Sequence, residues 1–106
     1  MKQLLLVAAV ALAAPAAPRA TAPDRNHVIV IDNLRFGPVP ADLRVGDAII
    51  WRNQDMFRHS ATARNGSFDV DLPAGKTGST RLTKPATVIF YCRYHPGMTG
   101  RLNVRN

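Results

Sequence analysis

The chain is poor in cysteine, with Cys92 alone among 106 residues. A single thiol excludes an internal disulfide framework, a CxxCH haem attachment and a four-cysteine zinc site. Glutamate is missing altogether, so the 7 acidic groups are all aspartate, set against 14 Lys and Arg for a formal charge of +7. The cations are scattered along the chain and aromatics are only 7% of it, which gives no footing for a nucleic-acid surface. A solvated, modestly basic exterior follows, one that at most steers an acidic partner toward it. Beyond the first twenty residues there is no long apolar run, no internal repeat and no low-complexity tract, so nothing there is long enough to span a bilayer.

Those first residues, "MKQLLLVAAVALAAPAAPRA", carry Lys2, an apolar stretch from Leu4 to Ala14 and several small-residue cleavage points. That is the layout of a secretory signal peptide over 1–20, leaving one folded domain over 21–106. Losing Lys2 and Arg19 with the leader lowers the formal charge from +7 to +5. Export places the protein in the periplasm, where thiols tend to pair. Cys92 then forms an intermolecular disulfide, stays an inert buried thiol, or is held by something else.

The exported part shows no helical periodicity. "HVIVIDNLRF" reads as a strand buried on both faces, and "FGPVPA" turns the chain because Pro38 and Pro40 cannot donate to a ladder. "DLRV" is a short edge strand, followed across Gly46-Asp47 by "AIIWRN". "NQDMFR" is a loop, "HSATAR" a strand, Asn65-Gly66 a hairpin turn, and "SFDVDL" a half-buried strand. "TRL", "ATVIFYC" and "GRLNVRN" complete about eight short strands, the pattern of an all-β, antiparallel Greek-key sandwich.

The chemistry concentrates in "YCRYHPGM", Tyr91 to Met98. Alternation puts Val88, Phe90 and Cys92 on one face of the strand, so the cysteine ends a buried apolar row. Pro96 and Gly97 stop the strand, and a tight loop would bring His95 and Met98 back toward the sulfur. A thiolate, an imidazole and a thioether form a soft donor set that disfavours Mg and Ca, and a second histidine would complete the His2Cys-plus-Met arrangement of electron-transfer copper. His27 and His59 are the remaining histidines. His59 follows an irregular loop and should lie at a sandwich end, whereas His27 reads as a surface histidine beside the leader.

Here the sequence resembles a known family. "FGPVPADLRVGDAIIWRNQDMFRHSAT" is similar to the first half of a blue (type 1) copper cupredoxin of the plastocyanin, pseudoazurin and amicyanin group. "FDVDLPAGKTGSTRLTKPATVIFYCRYHPGMTGRLNV" is similar to the second half, and its C-x2-H-x2-M spacing matches amicyanin most closely. The resemblance implies one copper ion per chain, with His59, Cys92 and His95 as equatorial ligands and Met98 as the axial one. Ser60 stands where many members carry Asn. Its backbone N–H can still donate to the cysteine sulfur, while a side-chain tie between the two ligand loops is expected to weaken. Met56 and Phe57 are expected as an apolar collar, or else as ordinary loop packing.

The implied function is a small soluble monomer that shuttles single electrons between periplasmic redox partners, with His95, Pro96 and Gly97 at the docking edge. The alternative is a periplasmic copper carrier or storage protein using the same ligands. No base–nucleophile pair marks an enzyme, since Asp55 and Asp69 read as solvated carboxylates. The chain is also too short for a multicopper oxidase.

Overall fold

The computed structural model describes residues 24–106 and the isolated Gln3, so the leader expected over 1–20 lies outside the described residues. Nine strands form: β1 (Asn26–Asp32), β2 (Arg35–Phe36), β3 (Leu43–Arg44), β4 (Ala48–Asn53), β5 (His59–Ala63), β6 (Asp69–Leu72), β7 (Thr77–Arg81), β8 (Ala86–Tyr91) and β9 (Thr99–Arg105). They make two sheets, ordered β2-β1-β4-β7 and β3-β9-β8-β5-β6, packed face to face as a sandwich.

The all-β sandwich matches the sequence reading, and two details correct it. "HVIVIDNLRF" is not one strand, because Asn33 and Leu34 take positive φ (50° and 59°) and fold it into the β1–β2 hairpin. Two consecutive left-handed residues match the strand twist across a two-residue connection, which is why a hairpin forms there without glycine. Burial of β1 alternates instead of covering both faces: Ile29 and Ile31 are fully buried, while Val28 is exposed. The sandwich is also not wholly antiparallel, since β1 pairs with β4 and β3 with β9 in parallel. The chain crosses from β2 to β3 in the second sheet and returns as β4, so β4 comes back alongside β1 in the same direction.

Period-two burial fills the space between the sheets. Ile29, Ile31, Ile49 and Trp51 point in from one sheet, and Leu43, Leu72, Val88, Phe90, Leu102 and Val104 from the other. An aromatic cluster sits at the centre: Phe90 meets Phe36 at 4.8 Å and Trp51 at 5.2 Å between centroids, both edge-on. The Trp51 indole N–H is satisfied by Thr80 Oγ1 at 2.9 Å. Gly100 lies opposite Phe90 in the β8–β9 ladder. A Cβ there would come within 2.8 Å of three Phe90 ring atoms, so the ring occupies space that only glycine leaves open. Phe90 is thereby fixed two residues before Cys92, and the core anchors the strand that delivers the sulfur.

Candidate metal centre

Cys92 follows the last residue of β8 and is fully buried, at the end of the Val88–Phe90 row as the alternation predicts. The chain then turns tightly. His95 N donates to Cys92 O (3.3 Å), Met98 N to His95 O (2.8 Å), and Cys92 N to Met98 O (3.1 Å). This closed turn carries His95, half-buried, and Met98, 6% exposed, over the end of the sandwich before Thr99 opens β9. His59 opens β5 and is fully buried.

The three side chains converge. Cys92 Sγ lies 3.6 Å from His59 Nδ1 and 3.8 Å from His95 Nδ1, and the donor atoms of all three residues fall within 4.8 Å of one another. A thiolate sulfur at about 2.3 Å and an imidazole nitrogen at about 2.0 Å from one ion stand about 3.5–3.7 Å apart at tetrahedral or trigonal angles. The spacing therefore fits one metal ion held by two imidazoles and a thiolate. His27 is not in this group. It is half-buried and bonded through Nε2 to Asp47 Oδ2 at 2.8 Å, which corrects the surface histidine expected there. Asp47 is itself buried, and burial opposes its ionisation. Bonds from His27 and from the Arg25 and Arg44 amides, with the Arg25 charge, prevail and lower its pKa to about 2.

Asp55, expected as a solvated loop carboxylate, is a structural partner of the site. Its side chain is 8% exposed and bonds His59 Nε2 at 2.9 Å. It also accepts the Leu34 amide at 2.9 Å and the Met56 amide at 2.8 Å. The His59 bond and the Leu34 amide hold its carboxyl below the usual carboxylate range, outweighing burial. An ionised Asp55 can only accept, so His59 carries its proton on Nε2 and turns the lone pair of Nδ1 toward the sulfur. The β1–β2 hairpin explains the arrangement, because its left-handed Leu34 presents the amide to Asp55. No sequence pattern linked Leu34 to Asp55 across 21 positions.

Asn53, 1% exposed at the end of β4, secures the loop between. Its Nδ2 donates to Phe57 O (2.8 Å) and Leu72 O (2.9 Å), and its Oδ1 accepts the Asp55 amide (2.9 Å). Ser60 N donates to Cys92 Sγ at 3.3 Å, the backbone contact expected on resemblance. The side-chain tie expected to weaken is present as well, with Ser60 Oγ accepting the Arg93 amide at 2.8 Å. Serine is shorter than asparagine, but here the turn after β8 lies close enough for the hydroxyl to reach it. Phe57 stands at the site edge, its ring 6.2 Å from the His95 ring, while Met56 is 79% exposed.

No protein-family model and no curated protein matches the chain. Solved structures do. A purple cupredoxin from Nitrosopumilus maritimus is 22% identical over 73% of this chain and 97% of its own, with a TM-score of 0.64. A Cu(I) form of an amicyanin methionine-to-glutamine mutant is 21% identical over 74% of this chain and 81% of its own, with a TM-score of 0.63. A reduced amicyanin proline-to-phenylalanine mutant gives 22%, 73%, 79% and 0.62 for the same measures. Two sheets in this order, with a His–Cys–His cluster at one end and these neighbours, identify the fold of the chain as that of the cupredoxins.

Proposed function

We propose that this protein is a type 1 copper protein that carries single electrons between redox partners outside the cytosol. The observation that carries the reading is the convergence of His59, Cys92 and His95 at one end of the sandwich, with one donor atom from each within 4.8 Å of the others and the two Nδ1 atoms 3.6 and 3.8 Å from the sulfur. The donor set is soft, with Met98 buried in the same turn, and two imidazoles with one thiolate and a weak thioether suit copper among the first-row metals. Copper bound there supplies a reversible one-electron couple between Cu(I) and Cu(II).

The residues of the chain do the rest. Cys92 binds as thiolate and releases its proton on loading, and the Ser60 amide donates to its sulfur. Asp55 fixes the tautomer and ring orientation of His59. Asn53 and the core row beneath Cys92 hold the loop and the strand that carry the donors, an arrangement that would keep rearrangement small when the oxidation state changes. His95 is the half-buried member of the set, and Phe57 and Tyr94 are exposed on the loops that carry His59 and His95. This rim is where a partner would dock.

The leader sequence supports export to the periplasm, and a working monomer fits the small basic domain. Among the described residues Arg35, Arg52, Arg64, Lys76, Lys84, Arg101 and Arg105 have no carboxylate partner, whereas Asp32 is the one aspartate bonded to no arginine or histidine. The uncompensated charge is positive, which favours a partner with an acidic docking face. In this reading the protein carries electrons and catalyses no reaction of its own.

The test is to express the chain from Thr21 and add one equivalent of Cu(II). An intense visible band, bleached by ascorbate and restored by oxidant, supports electron transfer. A colourless complex, or copper released on reduction, supports the carrier or storage function instead.

A further inference from the structure

Pairing between β5 and β8 covers only Thr62↔Tyr91 and Ala63↔Phe90. Past Tyr91 the backbone ladder stops, yet this is where the strand bearing His59 and the one delivering Cys92 must keep a fixed spacing. Side chains take over. Arg93 N donates to Ser60 Oγ (2.8 Å), Ser60 Oγ and Thr62 Oγ1 are bonded at 2.8 Å, and Thr62 Oγ1 donates to Asp69 Oδ1 (2.8 Å). The Arg93 guanidinium returns to Asp69 Oδ2 at 3.3 Å and closes a ring through β5, β6 and the ligand turn.

The ring has one sense. An ionised carboxylate only accepts, so the Thr62 hydroxyl must donate to Asp69. Its lone pairs are then left for the Ser60 hydroxyl proton, and the Ser60 lone pairs for the Arg93 amide. Ser60 is fully buried and Thr62 8% exposed, so the Ser60 hydroxyl relies on Thr62 rather than on water. Asp69 and Arg93 form the solvent-facing lip of the ring, with side chains 50% and 41% exposed.

We propose that Thr62 and Asp69 are positioning residues for the metal centre. They hold the Ser60 hydroxyl as an acceptor for the Arg93 amide, and so keep the Ser60 N–H on the Cys92 sulfur. This rests on the metal-site reading of His59 and Cys92 above. Neither residue touches the metal ligands; each acts through Ser60. Without the Thr62 hydroxyl, the buried Ser60 O–H has no acceptor and rotates away, releasing Arg93 N–H.

The test compares Thr62→Val, which keeps the shape and removes the hydroxyl, with Thr62→Ser, which restores it, and with Asp69→Ala at the surface. Amide hydrogen exchange is read by NMR on the metal-free full chain. Exchange of the Arg93 amide should accelerate roughly tenfold in Thr62→Val, the loss of about one net hydrogen bond. It should accelerate less in Asp69→Ala and stay near wild type in Thr62→Ser, while the Phe90 amide is unchanged. In copper-loaded protein the visible band should shift in Thr62→Val and return in Thr62→Ser. Unchanged Arg93 exchange in Thr62→Val overturns the proposal, and so does an equal acceleration at Phe90, which would mean general loosening. Should Thr62→Val not fold, Asp69→Ala decides by the same criterion. A colourless copper complex would defeat the copper reading and leave the exchange result standing, so the two failures are separable.

Discussion

Replacing Asn53 by alanine should loosen the candidate centre without touching a ligand. The side chain is 1% exposed and bonds three backbone groups on two segments: Phe57 O and Asp55 N in the loop after β4, through Nδ2 and Oδ1, and Leu72 O at the end of β6, through Nδ2. Each net bond contributes about 1 kcal/mol, and a buried group left unpaired costs about 1–3 kcal/mol. The Asp55 amide and Leu72 carbonyl lose this partner together, and such terms overlap, so we expect a loss of about 2–4 kcal/mol. For a domain of this size that corresponds to a fall in Tm of about 10–25 °C. The assay is thermal unfolding of metal-free wild type and Asn53→Ala, followed by near-ultraviolet circular dichroism at Trp51 and by far-ultraviolet signal. Metal affinity of the variant should fall as well, because the loop that carries Asp55 and leads into His59 is no longer pinned. A Tm change under about 3 °C would mean that these bonds are replaced by water at no net cost and that Asn53 does not pin the loop.

Asp55→Asn keeps the size of the side chain but allows its amide to face His59 Nε2, so metal affinity should drop about 10–100-fold in a competition titration; unchanged affinity would remove Asp55 from the site. Gly100→Ala forces a methyl into the Phe90 ring and should cost about 1–3 kcal/mol by urea unfolding, with the β8 end displaced. Asp47, with a folded pKa lowered from 3.8 to about 2, binds its proton less readily in the folded state than in the unfolded chain. Its stabilisation, about 2 kcal/mol, is complete above about pH 5 and is lost progressively as pH falls through the unfolded value toward 2. Asp47→Asn should accordingly be less stable than wild type at pH 7, with the gap narrowing at pH 2; a gap that does not change with pH would exclude this linkage.

The sequence exposed the parts of this protein that are governed by local pattern. Alternation in "ATVIFYC" placed Cys92 at the end of a buried row, and Pro96-Gly97 foretold the turn that brings His95 back. The role of Asp55 was hidden for a physical reason. Its burial depends on Leu34, whose left-handed backbone is not encoded by glycine or asparagine, and on a bond between segments 21 residues apart. An aspartate four residues before a histidine in a loop carries no periodicity that distinguishes a bonded pair from two solvated groups. His27 illustrates the same limit, since its partner Asp47 is brought close only by the parallel pairing of β1 with β4. The reach of the Ser60 hydroxyl likewise depends on how near the end of β8 approaches β5, a distance set by packing of the whole second sheet.

On the proposed function, the Cys92 sulfur and two imidazoles hold a copper ion that gains and loses one electron in place. Voltammetry of the copper-loaded protein on an electrode tests it most directly. A reversible one-electron wave is expected that persists over repeated cycles, is retained in His27→Ala and is abolished in Cys92→Ala. Copper lost on the first reduction, or a wave that survives Cys92→Ala, would contradict that function.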